Sequence, residues 1–373
     1  MLYVDIPTQA EIDRLVSARG DALVTVYLKT TPETQHIDAA RTRLKQMTAE
    51  AVAQLEAVGV AKRTIWPIEE QLHDLMDDDE FWNTQANSLA IFVTPDRLRT
   101  HRLPNHLSET VQVADRFHLK PLLRAVSMPQ HAFILALAEN EVRVIELLGD
   151  AAAQEIRVPD LPKDAASVAG TVNVNSRSYS GRQGGGEGQK HHLRQYCRKI
   201  DAALRGVLAG RSEPLILAAA DPLLSIYRSI NSYPHLAEAA IETSPVRIPA
   251  HDLGTQAREI VDGLNASTVA EVASLFAERE NEGRATTQVA RAARAATFGA
   301  VDTLLVDMDS VVPGVVDEDT GEITFDKEDS AVSYGVLGEI AGRVLSHGGR
   351  VLAVRRADIP QQADLAAILR YAI

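Results

Sequence analysis

The sequence has few of the residues that mark a disulfide-rich, metal-binding or aromatic-rich protein. Its 373 residues include one cysteine, Cys197, which excludes an internal disulfide framework and fits a reducing compartment. Aromatic residues make up only 5% of the chain, which gives little support to a stacking surface for single-stranded nucleic acid. The adjacent His191 and His192 point to different faces of a helix, and no cysteine pair accompanies them. We therefore expect no metal and no cofactor.

Long apolar runs are lacking as well. No apolar stretch approaches the roughly 18 residues that span a bilayer, and residues 1–7 do not form a basic region followed by an apolar run. The net charge of −13 argues against diffuse binding to nucleic acid or to an anionic membrane. These features predict a cytoplasmic protein without a membrane partner. They still permit a local basic contact.

A basic island stands out from this acidic background. Residues 171–211 contain eight Lys/Arg and two acids, so they carry +6; because the chain totals −13, the remainder carries −19. Five glycines lie in 181–188, and such a run is either a flexible loop or a place where backbone approaches a ligand closely. The amphipathic pattern of 189–208 predicts a helix directly after it. We expect a glycine loop on a basic stem, a combination that suits contact with a polyanion.

Strand-like and helical patterns alternate along the chain, which predicts an α/β fold. Strands are expected at 22–28, 89–94, 99–103, 132–138, 142–148, 214–220, 246–249, 301–306 and 350–354, with a hairpin across 311–325. Helices are expected at 36–55, 189–208, 222–230, 255–294 and 334–345. We predict three consecutive α/β domains, at 1–126, 127–252 and 253–373.

Three passages resemble bacterial relatives of the archaeo-eukaryotic class 1 peptide-release factors and their ribosome-rescue paralogues. The first is the hairpin 132–148, then a glycine-rich loop that contains Gly188-Gln189, then a basic helix with Arg194 and Arg198. The second, 295–306, reads Ala-Ala-Thr-Phe-Gly-Ala-Val-Asp-Thr-Leu-Leu-Val, and the third runs from 338 to 352. The resemblance covers about 130–373. It implies that the last two predicted domains correspond to the middle and C-terminal domains of those factors.

The resemblance implies a ribosome-associated protein that acts in translation termination, rescue or stress response. Its glycine loop, 181–189, would enter an RNA site of the ribosome or of another structured RNA. The family's catalytic tripeptide is Gly-Gly-Gln, and this chain has Glu187-Gly188-Gln189. The resemblance thus assigns Gly188 and Gln189 to peptidyl-tRNA ester hydrolysis. Phosphate contacts are expected from the nearby cations, which are Arg182, Lys190, Arg194, Arg198 and Arg205.

Two other functions remain open at this point. A hydrolase acting on another nucleic-acid or aminoacyl ester would use His191 or His192 with Glu187 as its acid–base groups. A non-catalytic interaction module would instead bind a protein partner through the C-terminal domain. Cosedimentation with ribosomes separates the ribosome-associated role from the interaction module. Ester hydrolysis by the isolated protein separates the hydrolase from both of them.

Overall fold

The computed structural model describes residues 4–33, 36–127, 130–168, 186–307, 310, 312–325 and 334–372. These residues form an α/β protein with several small sheets, as the sequence predicts. They divide into two compact units: unit 1 combines Met1–Pro129 with Ala266–Ile373, and unit 2 is Gln130–Asn265. The three-domain division at 126 and 252 stays a prediction. Within the described part of the chain, no helix is both long and apolar enough to cross a membrane.

The first segment of unit 1 builds an antiparallel sheet that packs against helices. Its elements are α1 (Gln9–Val16), β1 (Leu23–Lys29), α2 (Ile37–Ala57), α3 (Lys62–Asp77), α4 (Asp79–Trp82), β2 (Ser88–Thr94), β3 (Arg97–Leu103), β4 (Thr110–Ala114) and α5 (Lys120–Ser127). The strand order is β3-β2-β1-β4. The sheet packs against α2 and α3 on one face and belongs to a core shared with α1 and α5 on the other. Leu44 of α2 and Ile68 of α3 are buried against Ile91 of β2 in one core.

Unit 2 is a sheet covered by helices on both faces. Its elements are β5 (His131–Leu137), β6 (Val142–Leu148), β7 (Gln154–Ile156), α6 (Gly186–Leu208), β8 (Leu215–Ala219), α7 (Leu223–Ile230) and the part of α8 (Ala250–Asn281) that ends at Asn265. The order is β7-β6-β5-β8, and β8 is parallel to β5. Helices α6 and α7 pack on one face and α8 on the other. Burial on both faces explains why β8 is apolar throughout.

The last segment of unit 1 contributes a second sheet and a small three-stranded one. Its elements are β9 (Ala285–Thr286), α9 (Val289–Thr297), β10 (Val301–Asp307), β11 (Pro313–Val316), β12 (Ile323–Phe325), β13 (Tyr334–Gly335), α10 (Val336–Ser346), β14 (Arg350–Val354) and β15 (Leu365–Leu369). The sheet order is β14-β10-β15-β9, and β10 and β14 are parallel neighbours. The hairpin predicted across 311–325 is confirmed as the β11–β12 pair.

The two segments of unit 1 share one core. Ile12 of α1 and Leu122 of α5 are buried in the same cluster as Ile340 of α10. A buried carboxylate reinforces this core: the side chain of Glu339 is only 6% exposed. Its oxygens lie 2.9 Å from Arg343 Nε, 3.1 Å from Arg116 Nη1 and 3.2 Å from Arg19 Nη2. Three guanidinium groups, two of them from the first segment, thus compensate one buried charge from the last.

The structure corrects two sequence expectations. Residues 246–249 are not a strand, because Arg247 has a positive φ of 67° and Arg143 Nη2 donates hydrogen bonds to the carbonyls of Pro245 and Ile248. The helix expected at 255–294 is interrupted: α8 ends at Asn281, and β9 precedes α9. Gly283, with φ of 70°, supplies the left-handed residue that follows the helix end.

Candidate functional site

Helix α6 begins before the point that the sequence predicts. It starts at Gly186, so Gly188 and Gln189 lie in its first turn rather than in a loop. The first N–H groups of a helix have no intrahelical partner. Gln189 is exposed and Gly188 is half-buried. Arg182 and the other residues of 181–185 lie outside the described residues.

The inner face of α6 holds the helix on the sheet. Leu193, Cys197, Ile200, Leu204 and Leu208 are all buried, as their helical spacing predicts. Tyr196, also buried, donates a hydrogen bond from its hydroxyl to the carbonyl of Ala138 at 3.1 Å. Burial raises the pKa of the Cys197 thiol to about 12, so the sulfur stays protonated and is a poor metal ligand or nucleophile. Among the described residues, no group of three metal-ligating side chains is assembled.

The outer face of α6 carries a row of free cations. Lys190, Arg194 and Arg198, which we call the cation row, are exposed and lie four residues apart on one side of the helix. The row extends over about 12 Å at 1.5 Å per residue. Within the described part of the chain, none of the three forms an ion pair or a hydrogen bond through its side chain. The row is therefore available to an external anion.

Arg205, the fifth expected phosphate ligand, is engaged within the protein. Its Nη2 lies 2.8 Å from Oδ2 of Asp201, and its Nε donates to Ser232 Oγ at 3.2 Å. Asp201 is buried and also accepts hydrogen bonds from the backbone N–H and the hydroxyl of Ser232 at 2.9 and 3.0 Å. This carboxylate therefore ties the middle of α6 to the segment after α7. Sequence analysis missed its role, although its position four residues before Arg205 was a usable signal.

The predicted acid–base pairing of His191 or His192 with Glu187 stays a prediction, because it involves a side chain outside the described residues. His191 Nε2 accepts a hydrogen bond from Gln195 Nε2 at 3.0 Å, one turn along the helix. Its ring centroid lies 6.2 Å from that of His192. The side chain of Glu187 lies outside the described residues. The side-chain hydrogen bond of His191 thus joins it to Gln195, on the side away from Gln189.

A second polar cluster in unit 2 was missed by sequence analysis. His131 Nε2 lies 3.1 Å from Glu146 Oε1, and His131 Nδ1 lies 3.2 Å from Glu213 Oε1. The hydrogen bond to His131 holds the pKa of Glu146 below its ordinary value. Arg211, the last cation of the basic island, packs over the Phe133 ring at 4.9 Å. Part of the island's charge thus serves the unit's own packing.

Comparison with known proteins finds a family match in the middle of the chain. Residues 129–267 match the family model of bacterial archaeo-eukaryotic release factor family 11. This span contains the hairpin β5–β6, the basic island and all of α6. No curated protein matches the chain.

Solved structures of translation factors also align, at low similarity. A chain of ribosome-bound archaeal Pelota with ABCE1 is 15% identical, with 77% of this chain and 78% of that chain covered and a TM-score of 0.43. Dom34 of S. cerevisiae, described as interacting with Hbs1, is 14% identical, with 77% and 79% covered and a TM-score of 0.39. The archaeal termination factor aRF1 is 15% identical, with 98% and 99% covered and a TM-score of 0.25.

Whole-chain superpositions of this quality carry no argument, so the assignment depends on the family model. The model covers the same passage in which the sequence places a glycine-rich loop before a basic helix. Residues 129–267, less than half of the chain, therefore match a model of the bacterial release-factor-like family.

Proposed function

We propose that this protein associates with the ribosome in translation and that the cation row of α6 contacts phosphates of ribosomal RNA. The observation that carries the proposal is the row itself. Three unpartnered cations lie on one helix face, in a chain whose net charge is −13. A concentrated basic face in an acidic protein directs a polyanion to that face.

The chemistry of this face favours phosphate contact over base recognition. Arginine offers a planar fork of donors that matches phosphate oxygens, and lysine adds a point charge. The described exposed residues of α6 include no phenylalanine, tyrosine or tryptophan on which a base could stack. The contact would therefore position the protein on folded RNA without reading its sequence.

The finer roles follow from the release-factor family. We propose action in termination, rescue or stress response, with the segment 181–189 facing the RNA site and a protein partner contacting the C-terminal region. Ester hydrolysis of peptidyl-tRNA would fall to Gly188 and Gln189, which lie at the start of α6. A backbone N–H at that position could stabilise the developing oxyanion.

The decisive experiment is cosedimentation with ribosomes between about 50 and 200 mM salt, where the electrostatic contribution changes strongly. The test variant replaces Lys190, Arg194 and Arg198 with alanine. We expect weaker binding and a salt dependence that is flatter by roughly one unit of slope per lost contact.

The matched control changes Arg14, Lys45 and Arg157 to alanine. These are again one lysine and two arginines, all exposed and without side-chain partners in the described part of the chain. The control has the same net charge as the test variant but keeps the cation row, so it should bind like the parent. If the test variant also binds like the parent, α6 is an ordinary solvated face and the proposal fails.

A further inference from the structure

Helix α3 of unit 1 presents an outer face that nothing in the described structure covers. Its inner residues, among them Ile65, Ile68 and Leu72, are buried in the core with α2. Its outer face carries Trp66, a residue that is 64% exposed. The chain has two tryptophans, and the other, Trp82, is only 1% exposed. A fully hydrated indole is costly, because its large apolar surface gains from being buried.

A row of carboxylates continues from this ring. Glu70, Asp74 and Asp77 follow Trp66 at helical spacing, and all three are exposed. Within the described residues, none of these carboxylates forms an ion pair or a hydrogen bond through its side chain. We call Trp66 with these three residues the acidic face. It extends over about 16 Å along the helix.

The ends of the acidic face are fixed by neighbouring contacts. After Asp77, the next acids serve the fold: Asp78 accepts a hydrogen bond from Phe81 N at 2.9 Å, and Asp79 pairs with Arg41 at 2.6 Å. Before Trp66, Lys62 and Arg63 supply positive charge. The two ends of the acidic face therefore differ: the Trp66 ring lies at the cationic end, and the carboxylates lie toward the C-terminal end of α3.

We propose that the acidic face binds a lysine- and arginine-rich peptide segment of a partner protein. A guanidinium or ammonium group of the peptide packs on the exposed Trp66 ring, and tryptophan is the best aromatic acceptor for that contact. The following cations of the peptide lie beside Glu70, Asp74 and Asp77, where the negative end of the helix dipole adds to their attraction.

Charge and length together define the occupant. The carboxylates repel phosphate, so a nucleic acid is excluded from this face in favour of a polycation. Lys62 and Arg63 repel the peptide at the other end, so it extends from Trp66 toward Asp77. A length of about 16 Å corresponds to about five residues of extended peptide. This binding site is independent of α6 and of the function proposed for it.

The test is a titration of the full chain with a fluorescein-labelled arginine peptide of that length at low salt, followed by anisotropy. A glutamate peptide of equal length serves as the charge control and should not bind. Trp66→Ala should weaken binding by about tenfold, the effect of losing one desolvated cation–π contact. Trp66→Phe should retain part of the affinity, because phenylalanine keeps an aromatic face.

A second pair of variants separates the acidic face from general negative charge. The variant E70Q/D74N/D77N should lose at least tenfold in affinity. Its control, E259Q/E271Q/E278Q, removes three exposed acids of α8 and should bind like the parent. Equal weakening of peptide binding by both triple variants would mean that the peptide is attracted by diffuse negative charge. Binding by Trp66→Ala at the parental affinity would mean that the ring does not anchor the peptide. Either result overturns the proposal.

Light scattering on the same samples tests the remaining occupant. A parent that dimerises without peptide, and that E70Q/D74N/D77N converts to a monomer, would assign the acidic face to a second copy of the chain. That outcome also overturns the proposal. A parent whose oligomeric state is unchanged by these substitutions agrees with it.

Discussion

Helices α6 of unit 2 and α3 of unit 1 share the same amphipathic arrangement but expose opposite charges. Each buries an apolar stripe and exposes a row of like charges at near four-residue spacing, cationic on α6 and acidic on α3. In both, the charges that do have partners serve the fold, as Arg205 does with Asp201 and Asp79 with Arg41. What differs is the sign of the charge left over. If both proposals hold, the local unpartnered row, rather than the net charge, decides which kind of partner each helix attracts.

The largest expected difference between the two helices is in how much an aspartate of each contributes to the free energy of unfolding. Asp201→Ala should lower the free energy of unfolding by about 2–3 kcal/mol, because it leaves Ser232 and Arg205 without their buried acceptor. Asp74→Ala, on the exposed row of α3, should change it by less than about 0.5 kcal/mol. Urea unfolding followed by circular dichroism measures both. Equal effects would show that Asp201 is not an anchor.

A smaller effect is expected from the hydroxyl of Tyr196, which ties the middle of α6 to the end of β5. Tyr196→Phe removes the hydrogen bond to the Ala138 carbonyl and should cost about 1 kcal/mol of unfolding free energy. The ring itself stays buried, so packing is unchanged. On α3 the comparable change is Trp66→Phe, which is exposed and should cost almost nothing. A Tyr196→Phe protein as stable as the parent would contradict the proposed role of this bond.

Acid should weaken unit 2 through Glu146. Its folded pKa lies below the ordinary value of 4.5 because of the hydrogen bond and charge of His131 and the charge of Arg211, with Glu213 on the other side of the imidazole. The stability it contributes is present above the unfolded pKa and is lost as pH falls through the folded pKa. Glu146→Gln should therefore show a shallower loss of stability between about pH 5 and pH 3. Identical pH profiles for variant and parent would refute this assignment.

The smallest expected effect is on binding by Gln189. This side chain is exposed and uncharged, and it lies one residue before the cation row. Gln189→Ala should leave ribosome binding near the parental value and should affect only turnover, because its proposed role is confined to the reacting centre. A loss of binding comparable to that of the triple cation variant would move the contact from the row to the helix start.

The sequence predicted the elements that depend on local patterns. The β5–β6 hairpin, the strands β10 and β14, and the buried stripe of α6 all follow from alternation or helical period, and the structure confirms them. The β15 strand was missed, since Leu-Ala-Ala-Ile-Leu suits a helix as well as a buried strand.

Contacts between distant residues could not be predicted in this way. Asp201 meets Ser232 across 31 positions, and His131 meets Glu213 across an even longer separation. Only the packed fold brings such side chains together, because no local period relates their positions. The same limit applies to Arg205, whose expected phosphate contact was based on charge alone. The cation row was predictable because it lies on one helix.

The shared core of unit 1 affects the order in which parts of the chain can fold during synthesis. Tyr27 and Phe92 of the first segment belong to the same core as Ile340, which is made more than two hundred residues later. At about 5–20 residues per second, the first segment waits roughly 10–50 s for the last one. Unit 2, continuous in the chain, has all of its residues well before then. The residues of the family-matched unit are therefore complete first, while Tyr27 and Phe92 still lack the core partners that the last segment supplies.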